Sequence, residues 1–281
     1  MPEGPEIRRA ADRVAAAVEG RRADGVFFAF DELKPFESEL TGRRIDEVTT
    51  RGKALLTRFD GGLSVYSHNQ LYGRWYVMAN GRMPRTRRQL RFAVTAGNRR
   101  ALLYSASDIE VLDRDAERHH PFLSRLGPDL LSEGPTREEI AERLDESRFR
   151  GRQLGALLLD QGFVAGLGNY LRADILFEAG IHPQRRAADC DPKEHDRLAE
   201  RMLALTRRAY RTRGVTVPDT RYSELRRTGA TRSAARFWVY GREGKPCRIC
   251  GILVEQAAIG GRKCFWCPGC QPREIQHGRE R

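Results

Sequence analysis

Lysine is scarce in this chain. Of its 50 lysine and arginine residues only five are lysine, so arginine supplies the other 45 basic side chains. An arginine guanidinium stays protonated near neutral pH, where it suits phosphate contacts but cannot exchange a proton. Most of the positive charge is therefore unsuited to acid–base chemistry, and a lysine in such a chain is a candidate for a specific role.

Long apolar runs and an export signal are also missing. No apolar run approaches the roughly 20 residues that span a bilayer, and the first residues are acidic and polar, unlike a secretory signal. We therefore expect a cytoplasmic protein without a membrane segment. The formal net charge of +12 favours a polyanionic partner such as nucleic acid, and 281 residues suffice for two domains.

The N-terminus places a proline next to carboxylates. Pro2 follows Met1, and Glu3 and Glu6 come directly afterwards. A small second residue favours removal of the initiator methionine, which would leave the secondary amine of Pro2 as the first group of the protein. Such an amine can attack an aldehyde carbon and form an iminium, and about a tenth of an ordinary α-amino group is unprotonated at pH 7. Taken alone, Pro2 is most simply an ordinary second residue.

The order of the predicted elements is typical of an α+β protein. Apolar residues at helical spacing between Pro5 and Gly20 predict one N-terminal helix. Short strand-like runs separated by turn residues follow and predict a β-sandwich-like domain, before a capping box at Thr136 begins a helical part. The expected domains are a β-domain over residues 1–131, a helical domain over 132–213, a linker over 214–236, a zinc finger over 237–271 and a disordered tail over 272–281.

Four of the six cysteines form two CxxC pairs separated by sixteen residues. This spacing is typical of one tetrahedral zinc ion held by four thiolates, which leaves no position for water and indicates a structural ion. Cys264 also forms a CxxC pair with Cys267, but a Pro-Gly turn inside the last pair favours Cys270 as the fourth ligand. The predicted ligands are Cys247, Cys250, Cys267 and Cys270.

Six motifs occur in one order along residues 1–271. They are the opening PEGPEIRRAAD, RGKALL at 51–56, YSHNQLYG at 66–73, YSASDIE at 104–110, GLGNYLR at 166–172 and the terminal cysteine hairpin. Together they resemble the formamidopyrimidine-DNA glycosylase and endonuclease VIII family, and its endonuclease VIII branch in particular. The resemblance implies a helical domain of the helix–two-turn–helix type with a zinc-ribbon hairpin. It also implies a monomer that binds damaged double-stranded DNA and associates with the nucleoid when bound.

The activity implied by the resemblance is base excision of oxidised pyrimidines followed by cleavage of the abasic strand. Pro2 would form the iminium with C1′ of the lesion, Glu3 would act as general acid, and Lys53 would contact a phosphate and assist β-elimination. Arg262 on the cysteine hairpin would assist δ-elimination, although an arginine there also suits a simple phosphate contact. Glu6 would orient the amine or, as a carboxylate at the start of a helix, interact favourably with the helix dipole.

Further residues match DNA contacts of the family. Gln70, Leu71 and Tyr72 resemble the wedge that fills the space of an extruded base, although alone they read as a strand end. Arg125 and Asn169 match two phosphate contacts. The glycines before Asn169 either expose helix N-terminal amides to a phosphate or form a tight turn between helices.

Three alternatives remain open from the sequence. The same family includes glycosylases of oxidised purines, such as formamidopyrimidine and 8-oxoguanine. A non-catalytic zinc-ribbon DNA-binding protein would share the charge and the cysteines but would not need Pro2 beside Glu3. A structural or RNA-binding role is favoured by the basic charge alone.

Overall fold

The computed structural model describes residues 2–132 and 134–273 and confirms the predicted α+β class. The chain divides into two compact units, one ending at Leu126 and the other beginning at Gly127. Residues 274–281, which form most of the predicted tail, lie outside the described residues. Of the helices in the described ranges, none is both long and apolar enough to cross a membrane.

The first unit contains two antiparallel four-stranded sheets, one ordered β1-β6-β7-β5 and the other β2-β3-β4-β8. Its strands are β1 (Gly25–Phe28), β2 (Ile45–Arg51), β3 (Ala54–Phe59), β4 (Ser64–His68), β5 (Arg74–Ala79), β6 (Leu90–Ala96), β7 (Arg99–Tyr104) and β8 (Asp108–Leu112). Its helices are α1 (Gly4–Val18), α2 (Pro35–Leu40) and α3 (Arg114–His119), with short 3-10 turns at Asp31–Leu33 and Leu123–Arg125.

Helix α1 is held against the core of this unit by one apolar stripe. Ile7, Ala11, Val14 and Val18 are all buried, at the i, i+4, i+7 and i+11 spacing that lines one face of a helix. Pro5 suits the first turn because no intrahelical acceptor exists there for an amide hydrogen. Helix α1 contacts strands β2 and β3 of one sheet and β5, β6 and β7 of the other, so the packed stripe fixes the N-terminal residues against both sheets.

The second unit is helical up to a terminal hairpin. Its helices are α4 (Arg137–Asp145), α5 (Ser147–Arg150), α6 (Leu154–Leu157), α7 (Asn169–Ala179), α8 (Pro192–Thr212), α9 (Asp219–Arg227) and α10 (Arg232–Ala235), with a 3-10 turn at Ala187–Asp189. The hairpin pairs β9 (Glu255–Ile259) with β10 (Arg262–Trp266). The predicted capping box is present at the start of α4, where the Thr136 hydroxyl accepts the Glu139 amide and the Glu139 carboxylate accepts the Thr136 amide.

The segment 214–236, which we expected to be a linker, contains helices α9 and α10. Thr216 in this segment is fully buried and its hydroxyl donates to the carboxylate of Asp174 on α7. The same carboxylate accepts the backbone amides of Trp238 and Val239. The segment and the start of the hairpin region are therefore attached to α7 through one buried carboxylate.

Candidate active site

The first residues of α1 form part of a cavity of about 370 Å³ in the first unit. Pro2 and Glu6 line this cavity together with Asn69 and Gly73 from the loop between β4 and β5. Glu3 is only 4% exposed. Its backbone amide donates to Oε2 of Glu6 at 3.0 Å, so Glu6 caps the helix while it faces the cavity. We refer to residues 69–73, which connect β4 with β5 and contain the predicted wedge, as the wedge loop. The candidate nucleophile Pro2 therefore shares one cavity with both ends of the wedge loop.

Lys53 lies in the tight turn between β2 and β3, where Arg51 pairs with Ala54. The preceding Gly52 has a φ of 61°, which a glycine adopts without the steric cost of a side chain. Lys53 is 8% exposed, and its charge is close enough to His68 to lower the pKa of that imidazole, in addition to the effect of burial. The turn therefore places a buried ammonium beside the end of β4.

Gln70, Leu71 and Tyr72 form the exposed tip of the loop between β4 and β5. Leu71 and Tyr72 are 57% and 67% exposed, although both are large and apolar or aromatic. The loop is closed by a hydrogen bond of 2.7 Å from the Gly73 amide to the Asn69 carbonyl oxygen. The projection of these side chains from a closed loop fits a wedge better than a strand end.

His68 at the base of this loop was not identified from the sequence. Its Nδ1 accepts the backbone amide of Gln70 at 3.3 Å, which requires that nitrogen to be unprotonated. Burial lowers the pKa of His68, and the Lys53 charge lowers it further, whereas Asp108 opposes the shift. The only sequence signal was the position of the histidine directly before the NQLYG segment.

Arg125 is the last predicted DNA contact of the first unit. It lies in the 3-10 turn that precedes Leu126, and its Nε donates to the carbonyl oxygen of Pro121 at 2.5 Å. It lines a second cavity of about 300 Å³ together with His68, Asp108 and His120. Arg125 therefore shares a cavity with the residues at the base of the wedge loop.

Asn169 begins helix α7 in the second unit, directly after the glycines. Its side-chain amide donates to the carbonyl oxygen of Lys263 on β10 at 2.9 Å and accepts from Arg172. The amide of Gly166 donates to the side chain of Gln161. The turn therefore connects helix α7 to the cysteine hairpin, in addition to any contact with a ligand.

Arg172 is a second residue that sequence reasoning missed. It is fully buried on α7, and its guanidinium donates to the backbone carbonyl oxygens of Gly155 at 2.7 Å, Ile259 at 2.9 Å, Lys263 at 3.0 Å and Arg262 at 3.5 Å. Ile259 and Lys263 flank the tip of the hairpin, so Arg172 fixes that tip by its backbone. The available signal was that Arg172 is the only basic residue of α7.

Arg262 is exposed at the first position of β10, directly after a two-residue turn of Gly260 and Gly261. Both glycines have positive φ, at 61° and 72°, so the tight turn depends on residues without Cβ. A Cβ on Gly260 would also lie 3.1 Å from the Cα of Ala156. The tip is therefore packed closely against α6, and Arg262 projects from a constrained position.

The four predicted zinc ligands come together. The Sγ atoms of Cys247, Cys250, Cys267 and Cys270 all lie within 4.8 Å of one another. The Cys247–Cys270 separation is 3.8 Å and the Cys250–Cys267 separation is 3.3 Å. Tetrahedral zinc with zinc–sulfur bonds of about 2.3 Å needs sulfurs about 3.8 Å apart, so these four cysteines could bind a metal. Cys264 is buried on β10 outside this cluster.

The predicted site residues are distributed over both units. The first unit contains Pro2, Glu3, Glu6, Lys53, Gln70, Leu71, Tyr72 and Arg125, and the second contains Asn169, Arg262 and the four cysteines. Within the first unit, Pro2 and Glu6 share a cavity with the wedge loop. An amine and carboxylates beside a projecting apolar wedge are groups suited to nucleophilic attack on an extruded sugar.

Two family models match the chain. Residues 1–106 match the formamidopyrimidine-DNA glycosylase N-terminal domain and residues 126–220 match the formamidopyrimidine-DNA glycosylase H2TH domain. The chain is 46% identical to Endonuclease 8 of Klebsiella pneumoniae and 48% identical to Endonuclease 8 of Escherichia coli strain K12. Each match covers 96% of this chain and all of the relative.

Solved structures show the same fold. The chain aligns with a structure of MutM in complex with DNA containing carbocyclic 8-oxo-G, with a TM-score of 0.78 and 22% identity over 96% of this chain and 100% of the other. It aligns with Lactococcus lactis Fpg in complex with DNA containing an abasic site, with a TM-score of 0.77 and 21% identity over 96% and 99%. The chain therefore belongs to the formamidopyrimidine-DNA glycosylase and endonuclease VIII family.

Proposed function

We propose that this chain removes oxidised pyrimidines from duplex DNA with the amine of Pro2 as nucleophile, and then cleaves the abasic strand by β,δ-elimination. As a member of its family it is a DNA glycosylase with AP lyase activity that acts in base excision repair. The pyrimidine preference rests on its identity to proteins named Endonuclease 8 over their whole length.

The observation that carries the nucleophile assignment is the shared cavity of Pro2, Glu6, Asn69 and Gly73. A wedge that enters the base stack holds an extruded nucleotide on its own side of the duplex. A nucleophile that shares a cavity with both ends of the wedge loop is suited to reach the sugar of that nucleotide.

The chemistry assigns one role to each group. The unprotonated amine of Pro2 attacks C1′, and the base leaves with the electrons of its bond to C1′. Glu3 takes the proton that the Pro2 nitrogen still carries and gives it to the ring oxygen as the C1′–O bond breaks, which opens the sugar and leaves the iminium. The resulting iminium acidifies C2′, so loss of a C2′ proton expels the 3′ phosphate. Lys53 assists this step. Loss of a further proton, at C4′, then expels the 5′ phosphate with the help of Arg262 and leaves a one-nucleotide gap.

A zinc ion would have a structural role in this protein, with Cys247, Cys250, Cys267 and Cys270 as its four ligands. Four thiolate ligands saturate a tetrahedral ion, so the ion would stabilise the region around the β9–β10 hairpin without supplying a reactive water. The chain's own contribution is the backbone clamp of Arg172 and Asn169 on the hairpin, which constrains the position of Arg262. We further propose that the protein acts as a monomer.

Borohydride trapping tests the nucleophile. The wild-type protein should become covalently joined to abasic duplex DNA, because reduction of the iminium makes the bond permanent. Pro2→Gly, and a form that retains Met1, should lose the trapped species, and an N-terminal mass determination should show that the active form lacks Met1. If either altered protein gave as much adduct as the wild type, that result would contradict the mechanism. If the wild-type protein gave no adduct, that result would favour a non-catalytic DNA-binding protein.

A purine specificity is the second candidate, because the fold is shared with MutM bound to DNA containing 8-oxo-G. Excision of thymine glycol and of 8-oxoguanine should be compared in otherwise identical duplexes. We expect faster excision of thymine glycol, and the reverse order would assign the chain to the purine side of the family.

A further inference from the structure

The segment from Gly61 to Ser107 contains eight arginines and no aspartate, glutamate or lysine. It therefore carries a formal charge of +8, whereas the whole 281-residue chain carries +12. A segment of this length without one acidic residue is unusual in a chain that has 38 of them. The positive charge of the first unit is thus concentrated around the wedge and the strands that follow it.

Four of these arginines are exposed in one loop. Residues 80–89 connect β5 with β6 and contain Arg82, Arg85, Arg87 and Arg88; we refer to residues 80–89 as the arginine loop. Within the described part of the chain, the side chains of Arg82, Arg85 and Arg87 form no hydrogen bond or ion pair. No hydrogen bond or ion pair to another described residue therefore holds these guanidinium groups.

The arginine loop is attached directly to the wedge. Arg88 donates from its guanidinium to the carbonyl oxygen of Tyr72 at 2.5 Å. The carbonyl oxygen of Gln89 accepts the amide of Ser105 at 2.8 Å, and the Ser107 hydroxyl donates to the side-chain oxygen of Gln70 at 3.0 Å. These hydrogen bonds connect the arginine loop, the loop between β4 and β5 and the loop between β7 and β8 into one cluster.

We propose that the arginine loop is a second phosphate-binding surface, which holds the DNA backbone beside the point where the wedge enters the duplex. This inference rests on the proposed function, since it requires that Gln70, Leu71 and Tyr72 enter DNA. Backbone phosphates flank every base pair beside the wedge, because duplex DNA carries one charge per about 1.7 Å of helix axis. The fork geometry of arginine suits such contacts.

Salt dependence of binding measures the contacts directly. The probe is a duplex that contains a reduced abasic site, which the protein binds but cannot cleave. Each phosphate contact contributes about 0.9 to the slope of log affinity against log salt, so Arg85→Gln with Arg87→Gln should lower the slope by about 1.8 if both contact phosphates. Arg85→Lys with Arg87→Lys keeps the charge and should keep most of the slope.

Arg207→Gln with Arg211→Gln is the matched control. Both arginines are exposed on α8 and their removal changes the net charge by the same two units, and we expect the wild-type slope. A wild-type slope for the arginine-loop variant, or an equal loss in the α8 control, would overturn the proposal. A loss as large in the lysine variant as in the glutamine variant would also overturn it, because charge would then not be the cause.

The position of the contacts is tested separately with neutral methylphosphonate linkages placed singly around the lesion. The linkages nearest the wedge should weaken DNA binding by the wild-type protein but not by the arginine-loop glutamine variant. Equal loss of affinity for both proteins would overturn the proposed position of the contacts. Failure of the proposed function has a different signature, since wild-type protein would then give no borohydride adduct with abasic DNA whatever the salt slope of the variants.

Discussion

Gly73 closes the wedge loop at a position that leaves no room for a side chain. A Cβ at this position would lie 2.6 Å from both the Cα and the carbonyl oxygen of Asn69. The Gly73 amide also forms the hydrogen bond that closes the loop. The closed loop from which Leu71 and Tyr72 project therefore requires glycine at position 73.

We expect Gly73→Ala to reduce excision from paired duplex DNA by roughly tenfold or more, because a displaced wedge cannot hold the base out of the stack. Single-turnover excision of thymine glycol is the measurement. Gly25→Ala is the control, since a Cβ at Gly25 meets no atom within 4 Å, and excision by that variant should be unchanged. Equal rates for Gly73→Ala and wild type would contradict the proposed role of the closed loop.

At the scale of elements, helix α7 and the β9–β10 hairpin are connected through Arg172. Its guanidinium contacts the backbone on both sides of the hairpin tip, next to Arg262. A buried arginine makes these contacts with a planar fork, which a lysine ammonium cannot reproduce. The position of Arg262 should therefore be less constrained after Arg172→Lys.

We expect Arg172→Lys to lower the ratio of δ-elimination to β-elimination product several-fold while the yield of borohydride adduct at Pro2 stays close to wild type. Gel separation of the 3′ products measures the ratio, and zinc content shows whether the proposed four-cysteine site is still formed. A merely destabilising substitution would lower adduct and both products together, which is the outcome that argues against a positioning role.

Helix α8 begins with a buried ion pair that makes stability depend on pH. Glu194 accepts both guanidinium nitrogens of Arg185 at 2.7 Å, and the two side chains are 10% and 6% exposed. Burial favours the neutral acid, but the hydrogen bonds from Arg185, the hydrogen bond from the Asp191 amide and the charge of Arg185 together outweigh it and lower the pKa of Glu194 below its ordinary value of 4.5. The pair therefore makes its full contribution to the free energy of unfolding above pH 4.5, and this contribution is lost as the pH falls through the lowered pKa of Glu194.

Glu194→Gln should reduce the free energy of unfolding at pH 7 by about 2–3 kcal/mol, less than complete removal of a buried partner because the amide still accepts a hydrogen bond. The difference from wild type should shrink as the pH falls below 4.5. Denaturant unfolding at several pH values measures it. Glu200→Gln is the control, because it removes a half-exposed carboxylate on the same helix, and we expect it to change the free energy of unfolding by at most about 0.5 kcal/mol. If the effect of Glu194→Gln did not change with pH, that result would contradict the ion-pair explanation.

On the scale of the whole molecule, each unit has its own apolar core. Ile7, Leu55 and Phe92 belong to the core of the first unit, and Cys247, Phe265 and Cys267 belong to a small core of the second. Because two of the four proposed zinc ligands belong to this core, we expect zinc binding to be coupled to local folding. Loss of the metal should therefore affect the second unit and leave the first intact.

We expect removal of the metal by a chelator, or Cys250→Ser, to abolish δ-elimination and to increase amide hydrogen exchange in residues 237–271, with unchanged protection of strands β2 to β4. Exchange measured by mass spectrometry gives both results. Cys190→Ser is the control, because Cys190 lies outside the four-sulfur cluster. Unchanged exchange in residues 237–271 after proven loss of the metal would contradict the coupling.

The elements that follow a strong apolar period could be predicted from the sequence. The stripe from Ile7 to Val18 predicted α1, and the capping box at Thr136 predicted the start of α4, because both patterns are local. Helix α9 contains only two large apolar or aromatic residues, Tyr222 and Leu225, which are too few to form an apolar stripe from which a helix could be predicted. The predicted boundaries at 131, 213 and 236 stay predictions.

The sequence by itself determined the family, the α+β class and the candidate chemistry, because motifs such as NQLYG, GLGN and the paired CxxC are contiguous in the chain. The roles assigned to Pro2, Glu3, Lys53 and Arg262 remain proposals. Only the tertiary structure decided that Pro2 shares a cavity with the wedge loop, that His68 accepts the Gln70 amide, that Arg172 contacts the backbone of the β9–β10 hairpin, and that the arginine loop is attached to Tyr72. These are contacts between residues distant in the chain, and their distances depend on packing that no local pattern encodes.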